Sequence, residues 1–198
     1  MLFAIVRGNF LLSFNGGKSW RYSSRGIGPY WLSSIALSRG IQTNKTLYIS
    51  SYGGGIYIST DNGMSWKPCN QGLEQRIISY VGSIPSSEKR ESLVAVGGDV
   101  NPFPTNKIGH TWESLYSKEK GFGTGKFTDL YRKDQYKTEW KKVFHTDGEI
   151  TTIGHHHGNL FVADDAGILY ISRDSTSFFE QFIALPENKR ATCLVYCD

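Results

Sequence analysis

Four groups of residues in this 198-residue chain have types and spacings that could do chemistry. The first is a set of carboxylates, Asp99, Glu113, Asp129, Asp147 and Glu149, the residue type that two-acid glycoside hydrolysis uses. They form no visible pair, and acidic residues in loops are mostly solvated, so no catalytic residue is assigned. The second is the run His155-His156-His157. Adjacent residues of a strand point to opposite faces and do not converge on one ion, so no metal site is assigned there, nor at Asp164-Asp165. The third is GFGTGKF, residues 121–127. A phosphate loop needs Gly where Lys120 stands and Ser or Thr where Phe127 stands, so the stretch reads as a Gly-rich loop tip, with a backbone nest for a small anion as the alternative. The fourth is the segment 99–126. It interleaves Phe103, Trp112, Tyr116 and Phe122 with Lys107, His110, Lys118, Lys120 and Lys126. Aromatic and basic residues together are what recognition surfaces use, and these nine are the candidate binding residues.

Composition narrows the classes. Gly is abundant (22), aromatic residues make up 14%, and Pro is scarce (6), which favours short strands joined by tight turns. No apolar run approaches the length of a membrane helix, so membrane insertion is not expected. The three cysteines, Cys69, Cys193 and Cys197, form no C-x-x-C pair, and the N-terminus has no leader pattern; a cytoplasmic or other reducing compartment is expected. The net charge of +4 is unevenly spread, basic up to residue 142 and acidic beyond it. That suits a shaped partner better than a polyanion track, and nucleic acid is not expected. No pattern asks for a cofactor.

The elements that would position these groups come from a repeat. Residues 13–20 read SFNGGKSW and residues 59–66 read STDNGMSW, both S-x-[DN]-x-G-x-S-W, with Ser13, Asn15, Gly17 and Trp20 matching Ser59, Asp61, Gly63 and Trp66. A third, weaker copy carries Ser172, Asp174 and Phe179, and Trp140 ends a degenerate fourth. Each follows a run with strand character. The pattern predicts a hairpin turn clasped by the Asp or Asn side chain, with Gly at positive φ and the aromatic residue buried as the next strand opens.

At these residues the chain resembles the Asp-box, or BNR-repeat, β-propellers, a superfamily that includes sialidases, sortilin-type receptors and photosystem II assembly-factor propellers. The resemblance implies an all-β fold of four-stranded blades, strands a to d from the axis outward, with the Asp box in the c–d turn and the b–c and d–a loops on the opposite, functional face. Sialidases of this superfamily carry an Arg-Ile-Pro motif; the nearest stretch here, Arg76-Ile77-Ile78, lacks the Pro.

Strand runs then divide residues 1–198 into one small closed propeller domain. Blade two has strands at 31–38, 46–52 and 55–60, and the last blade at 149–155, 159–165, 167–173 and 178–185. Strands a and b of the third lie at 76–84 and 92–98, which leaves 99–126 as an insertion in its b–c loop. Four blades are favoured. A five-bladed reading takes Thr105 to Trp112 as another box. Residues 191–197 would supply strand a of the N-terminal blade and close the ring. The function expected is a non-catalytic binding module for a protein partner or multi-subunit assembly, using the insertion and the d–a loops 21–30, 67–75 and 186–190. The alternatives are a carbohydrate-binding or glycoside-hydrolysing, sialidase-like propeller, with the glycan stacked on residues such as Trp31, Trp112 and Tyr116, and a binder of a small anionic ligand.

Overall fold

A computed structural model describes residues 1–38, 46–85, 91–98, 126–134, 137–156, 158–173, 178–186, 189, 191, 192 and 194. Among the described residues fifteen strands make four antiparallel sheets. Blade 1 is β1 (Leu2–Val6), β2 (Asn9–Ser13) and β3 (Arg21–Tyr22). Blade 2 is β4 (Trp31–Ser38), β5 (Thr46–Tyr52), β6 (Gly55–Ser59) and β7 (Lys67–Pro68). Blade 3 is β8 (Ile78–Pro85), β9 (Glu91–Gly97), β10 (Asp129–Asp134) and β11 (Lys141–His145). Blade 4 is β12 (Ile150–His156), β13 (Asn159–Asp164), β14 (Ile168–Ser172) and β15 (Glu180–Ala184). Each sheet is a meander in chain order. The chain is therefore an all-β propeller of four blades. β9 pairs directly with β10, Gly97 opposite Asp129, so the stretch between them leaves and re-enters one blade. The Thr105–Trp112 segment of the five-bladed reading lies outside the described residues. Most of 191–197 does too, and its described residues, Ala191, Thr192 and Leu194, belong to no strand.

The cores lie between blades, because side chains alternate along a strand. In β5, Leu47 and Ile49 face blade 1 with Phe10, Leu12 and Leu32, while Tyr48 between them faces blade 3 with Ile78, Val81 and Leu93. In β9, Leu93 and Ala95 face blade 2, and Val94 and Val96 face blade 4 with Ile150, Leu160 and Val162. Each such aliphatic side chain contributes about 1.5–3 kcal/mol when fully buried. The same alternation accounts for the buried apolar run of β9, which has cores on both sides.

Side chains clasp the c–d turns of blades 1 and 2. Ser59 Oγ donates to Asp61 Oδ1 (2.8 Å) and accepts from the Gly63 amide (2.8 Å), and Asp61 Oδ1 accepts from the amides of Met64 (3.0 Å) and Ser65 (2.9 Å). In blade 1, Ser13 Oγ bonds Asn15 Oδ1 (3.0 Å) and the Gly17 amide (2.8 Å), and Asn15 Oδ1 accepts from the Ser19 amide (2.9 Å). Lys133, seven residues before Trp140, takes the place of the clasp serine. It is buried, with its ammonium 5.2 Å from the Tyr48 ring and 5.9 Å from the Trp140 ring, a cation–π seat in place of a hydroxyl clasp. Asp174 lies outside the described residues; Ser172 is fully buried.

In blades 2, 3 and 4 the aromatic residue that ends the turn packs on the preceding blade. Trp66 meets Phe10 edge-on at 4.9 Å, Trp140 Nε1 donates to the Cys69 carbonyl (2.8 Å), and Phe179 packs on Phe144 at 4.6 Å. Trp20 departs from the burial expected of it. It is 42% exposed, against 3% for Trp66 and 1% for Trp140, because among the described residues no blade packs against that side of blade 1. A backbone grip holds the two buried tryptophans. The Trp66 amide donates to the Arg25 carbonyl (2.9 Å) and the Trp140 amide to the Gln71 carbonyl (2.8 Å). The following residues, Gly26 (φ 89°) and Gly72 (φ 80°), approach so closely that a Cβ would lie 2.0 Å and 2.1 Å from the Trp66 and Trp140 carbonyl oxygens.

Two outcomes follow. Gly72→Ala loses about 2 kcal/mol or more in urea unfolding, since strain at positive φ and a backbone clash add. The second concerns pH. Partial burial pushes the Asp61 carboxyl up, but hydrogen bonds from Ser65, Ser59 and Met64 outweigh it and lower it from 3.8 to about 2. The clasp therefore contributes its full stability above pH 3.8 and loses it as pH falls through about 2. Asp61→Asn, the arrangement blade 1 already has with Asn15, flattens that part of the stability–pH curve.

Candidate functional site

Antiparallel blades place every b–c and d–a connection on the face opposite the clasped turns. The connections here are built differently in each blade. In blade 1 the b–c turn is Arg7-Gly8, and the d–a loop runs from Ser23 to Tyr30. Between them, at the blade 1–blade 2 junction, opens a cleft of about 420 Å³ lined by Arg7, Asn9, Ser24, Pro29, Tyr30 and Trp31 among others. Arg7 holds φ 49°, one of two non-glycine residues with positive φ among those described. An extended-chain residue in the left-handed region is strained, and the turn keeps it there: Asn9 Nδ2 donates to the Arg7 carbonyl (2.9 Å), and the Leu32 amide to the Gly8 carbonyl (3.1 Å). The Trp31 ring lies on the backbone of Gly8, and the Tyr30 ring lies against Gly53 and Gly54 of the next blade's b–c turn. Arg7 and Tyr30 are exposed and Trp31 is half-buried. Among the described residues the Arg7 guanidinium has no hydrogen-bond or ion-pair partner. The cleft thus offers a free cation beside two aromatic rings.

The equivalent junction of blade 2 is filled. Asn70 Oδ1 accepts from the Ile56 amide (2.7 Å), Asn70 Nδ2 donates to the Gly54 carbonyl (3.0 Å), and the Arg76 carbonyl accepts from Gly53 and Gly55. On blade 3, Asp129 accepts from or pairs with His145 Nδ1 (2.7 Å) and pairs with Lys142 (3.7 Å), which also reaches Glu74 of the preceding loop. The Glu74 hydrogen bond and neighbouring carboxylates raise the Lys142 ammonium pKa. Burial first, then the charges of Asp129 and Glu74, push the Tyr131 hydroxyl up to about 12.

The sequence candidates fall out as follows. Of the nine binding candidates, Lys126 is described; its ammonium lies 3.4 Å from Asp165 Oδ2 on the b–c, d–a face. Phe103, Lys107, His110, Trp112, Tyr116, Lys118, Lys120 and Phe122 lie outside the described residues. Asp129 is engaged with its cations, as above. Asp164 is no open cation site: its Oδ1 accepts from the Ala166 (3.1 Å) and Ile168 (2.9 Å) amides and its Oδ2 from Thr146 Oγ1 (3.0 Å) and Tyr170 OH (3.1 Å). His155 and His156 close β12 rather than forming a turn beyond it. Among the described residues no three His, Cys, Asp or Glu side chains group as metal ligands. The cleft itself was only partly legible. Trp31 and the d–a loop 21–30 stand out in the sequence; Arg7 does not, because nothing in an R-G pair tells that the Arg takes the left-handed conformation. The grip glycines did carry a signal, since Ser24-Arg25-Gly26-Ile27 and Asn70-Gln71-Gly72-Leu73 are 46 residues apart, the spacing of the two clasps.

No protein-family profile matches the chain, and no curated protein does. Solved structures do. A structure of YCF48 bound to D1 peptide matches with a TM-score of 0.51 and 13% identity, over 90% of this chain and 50% of that one. A glycoside hydrolase family 43 arabinoxylan arabinofuranohydrolase from Bacillus subtilis, in complex with cellotetraose, matches with a TM-score of 0.47 and 13% identity, over 85% and 38%. YCF48 from Cyanidioschyzon merolae matches with a TM-score of 0.32 and 14% identity, over 89% and 65%. The likeness to the first of these supports the β-propeller fold. The chain spans half the length of the first of these structures and less of the second.

Because Asp164 is buried and accepts four hydrogen bonds, two from amides of its own turn, one from Tyr170 of β14 and one from Thr146 of the loop after blade 3, Asp164→Ala costs about 3 kcal/mol in chemical denaturation. Asp164→Asn recovers part of that loss by keeping an acceptor.

Proposed function

We propose that this Asp-box propeller is a non-catalytic binding module that holds a segment of a protein partner on its b–c, d–a face. The cleft of Arg7, Tyr30 and Trp31 is the centre of the contact, and the segment 99–126, with Phe103, Trp112, Tyr116 and its lysines, is the second part of the chain that takes part in it. The observation that carries the reading is Arg7: a cation without a partner among the described residues, held in a strained backbone conformation at the mouth of a cleft with aromatic walls. Strain of this kind persists where it serves a site. Arginine beside Tyr and Trp is also the side-chain set that dominates binding energy at protein interfaces. Two further points support it. β9 ends and β10 begins on this face, which tethers the excursion there. A propeller of similar fold, YCF48, is seen with a bound peptide.

The reading is tested by selecting a random peptide-display library on the full chain and measuring selected peptides on variants. Selected peptides lose about tenfold or more in affinity on Arg7→Gly or Trp31→Ala, and lose affinity on deletion of 99–125. Arg7→Gly meanwhile keeps the fold or gains up to about 1 kcal/mol, because glycine accepts the left-handed turn without strain. Binding unaffected by both substitutions sinks the site. A glycan-array signal that Trp31→Ala removes, with no peptide selected, replaces the protein partner with a carbohydrate.

A further inference from the structure

The cleft between blades 1 and 2 lies in a part of the chain that is almost without acid. Residues 1–73 carry Arg7, Arg25, Lys67 and other cations, and Asp61 is their only acidic residue. Both oxygens of Asp61 are used inside the clasped turn of the opposite face, by Ser59, Met64 and Ser65. The next carboxylate along the chain, Glu74, holds Lys142. Other cations of the cleft's face are engaged: Lys126 with Asp165, Lys142 with Glu74 and Asp129, and Arg76 with the Asn70 carbonyl (3.2 Å). Among the described residues that line the cleft, none is acidic and Arg7 is the one cation. A lone guanidinium between ring faces suits a single carboxylate, which its planar fork can bind through two oxygens. Phosphate groups are recognised by clusters of arginine, and this cleft has no second one.

Aromatic rings continue from the cleft across the same face. The Tyr30 ring lies over Gly53 and Gly54, the b–c turn of blade 2. Tyr52, the residue before that turn, stacks on Phe127, with ring centres 6.0 Å apart and planes 28° apart, where the chain re-enters blade 3. Trp31, Tyr30, Tyr52 and Phe127 thus mark a track over three blades, and none of the four is buried. A track of this kind fits a chain in extended form, whose residues meet it one after another. Given a protein segment in the cleft, as proposed above, we infer that this segment is acidic: an extended stretch that sets one Asp or Glu side chain on the Arg7 guanidinium and runs over Tyr30 toward Tyr52 and Phe127. The left-handed turn at Arg7 fixes the direction in which the side chain leaves the backbone, and that removes part of the ordering cost of pairing. The cationic surroundings draw an acidic segment in, so association slows as salt rises.

The test uses peptides selected on the full chain from a random display library and remade synthetically, with the C-terminus free or amidated. The selected peptides are expected to share one Asp or Glu position. Replacing that residue by its amide weakens binding to the wild type by about tenfold or more. The same replacement makes no further difference on Arg7→Gln, so the two changes are not additive. A charge swap, Arg7→Glu against Lys at the peptide position, restores binding. Tyr52→Ala weakens peptides that extend past the acidic residue by about threefold or more and leaves peptides cut short there unchanged. Circular dichroism checks that the variants fold. Selected peptides that depend on Arg7 and Trp31 but share no acidic position overturn the acidic partner and leave the binding site standing. Additive losses overturn it too, as does affinity that needs a free C-terminal carboxylate. So does an equal loss on Lys18→Gln, in the clasped turn of the other face, which would show a general field in place of a seat. If no peptide is selected, the acidic partner and the binding site fall together.

Discussion

A blade in this protein is a sheet with two apolar faces, and everything else depends on that. Side chains alternate along β5 and β9, so Leu47 and Ile49 are committed to one neighbour and Tyr48 to the other, as Leu93 and Ala95 are against Val94 and Val96. No blade holds a core of its own. Stability is a property of junctions, each filled from two sheets, and a shift of register by one residue would turn both faces inside out. The clasped turns address that hazard. By fixing the c–d connection with Ser, Asp and Gly at set positions, they set which residue of strand d lies opposite which residue of strand c.

The junctions are also locked through the backbone. The Arg25–Trp66 and Gln71–Trp140 bonds bring a loop of one blade against the residue just before the next blade's outer strand, at a distance only glycine permits. Side-chain packing sets the spacing of two blades, and this contact sets their rotation. The tryptophan serves both, its ring in the core of one junction and its amide in the lock. That explains why Trp140 persists where the rest of the clasp has gone, with Lys133 in the serine position and its ammonium seated on Trp140 itself.

The fold was legible in the sequence because the clasp is local. A hairpin that needs Ser, Asp or Asn, Gly and Trp at fixed steps writes itself into eight consecutive residues, and strands between such turns follow from alternation. What the sequence did not disclose depends on partners far along the chain. Trp20 and Trp66 sit in the same motif, yet one is exposed and one buried, because only Trp66 has Phe10 on its preceding blade. Asp164 looked like one of two loop carboxylates; its four donors, among them Thr146 eighteen residues back, are visible only in three dimensions. The excursion 99–126 stood out by composition, whereas Arg7 is one cation among many until its backbone conformation is known.

The two faces of the propeller obey different constraints, and this division bears on function more than any one residue. On the clasp face the length from the first clasp position to the aromatic residue is the same in every blade: Ser13 to Trp20, Ser59 to Trp66, Lys133 to Trp140, Ser172 to Phe179. On the other face no two b–c connections are alike. One is Arg7-Gly8, one is Gly53-Gly54, one is the long stretch from Gly98 to Thr128, and one is built around Asp164. A connection that only had to join two strands would converge on the short turns that do so at least cost. Strain at Arg7, a solvent-facing arginine and a join from Gly97 to Asp129 that spans far more sequence than two paired strands require all run against that economy, and Arg7 and the two ends of that join fall on the same face. The clasp face fixes the strands of each blade, which leaves the opposite face free to carry conformations that stability alone would remove.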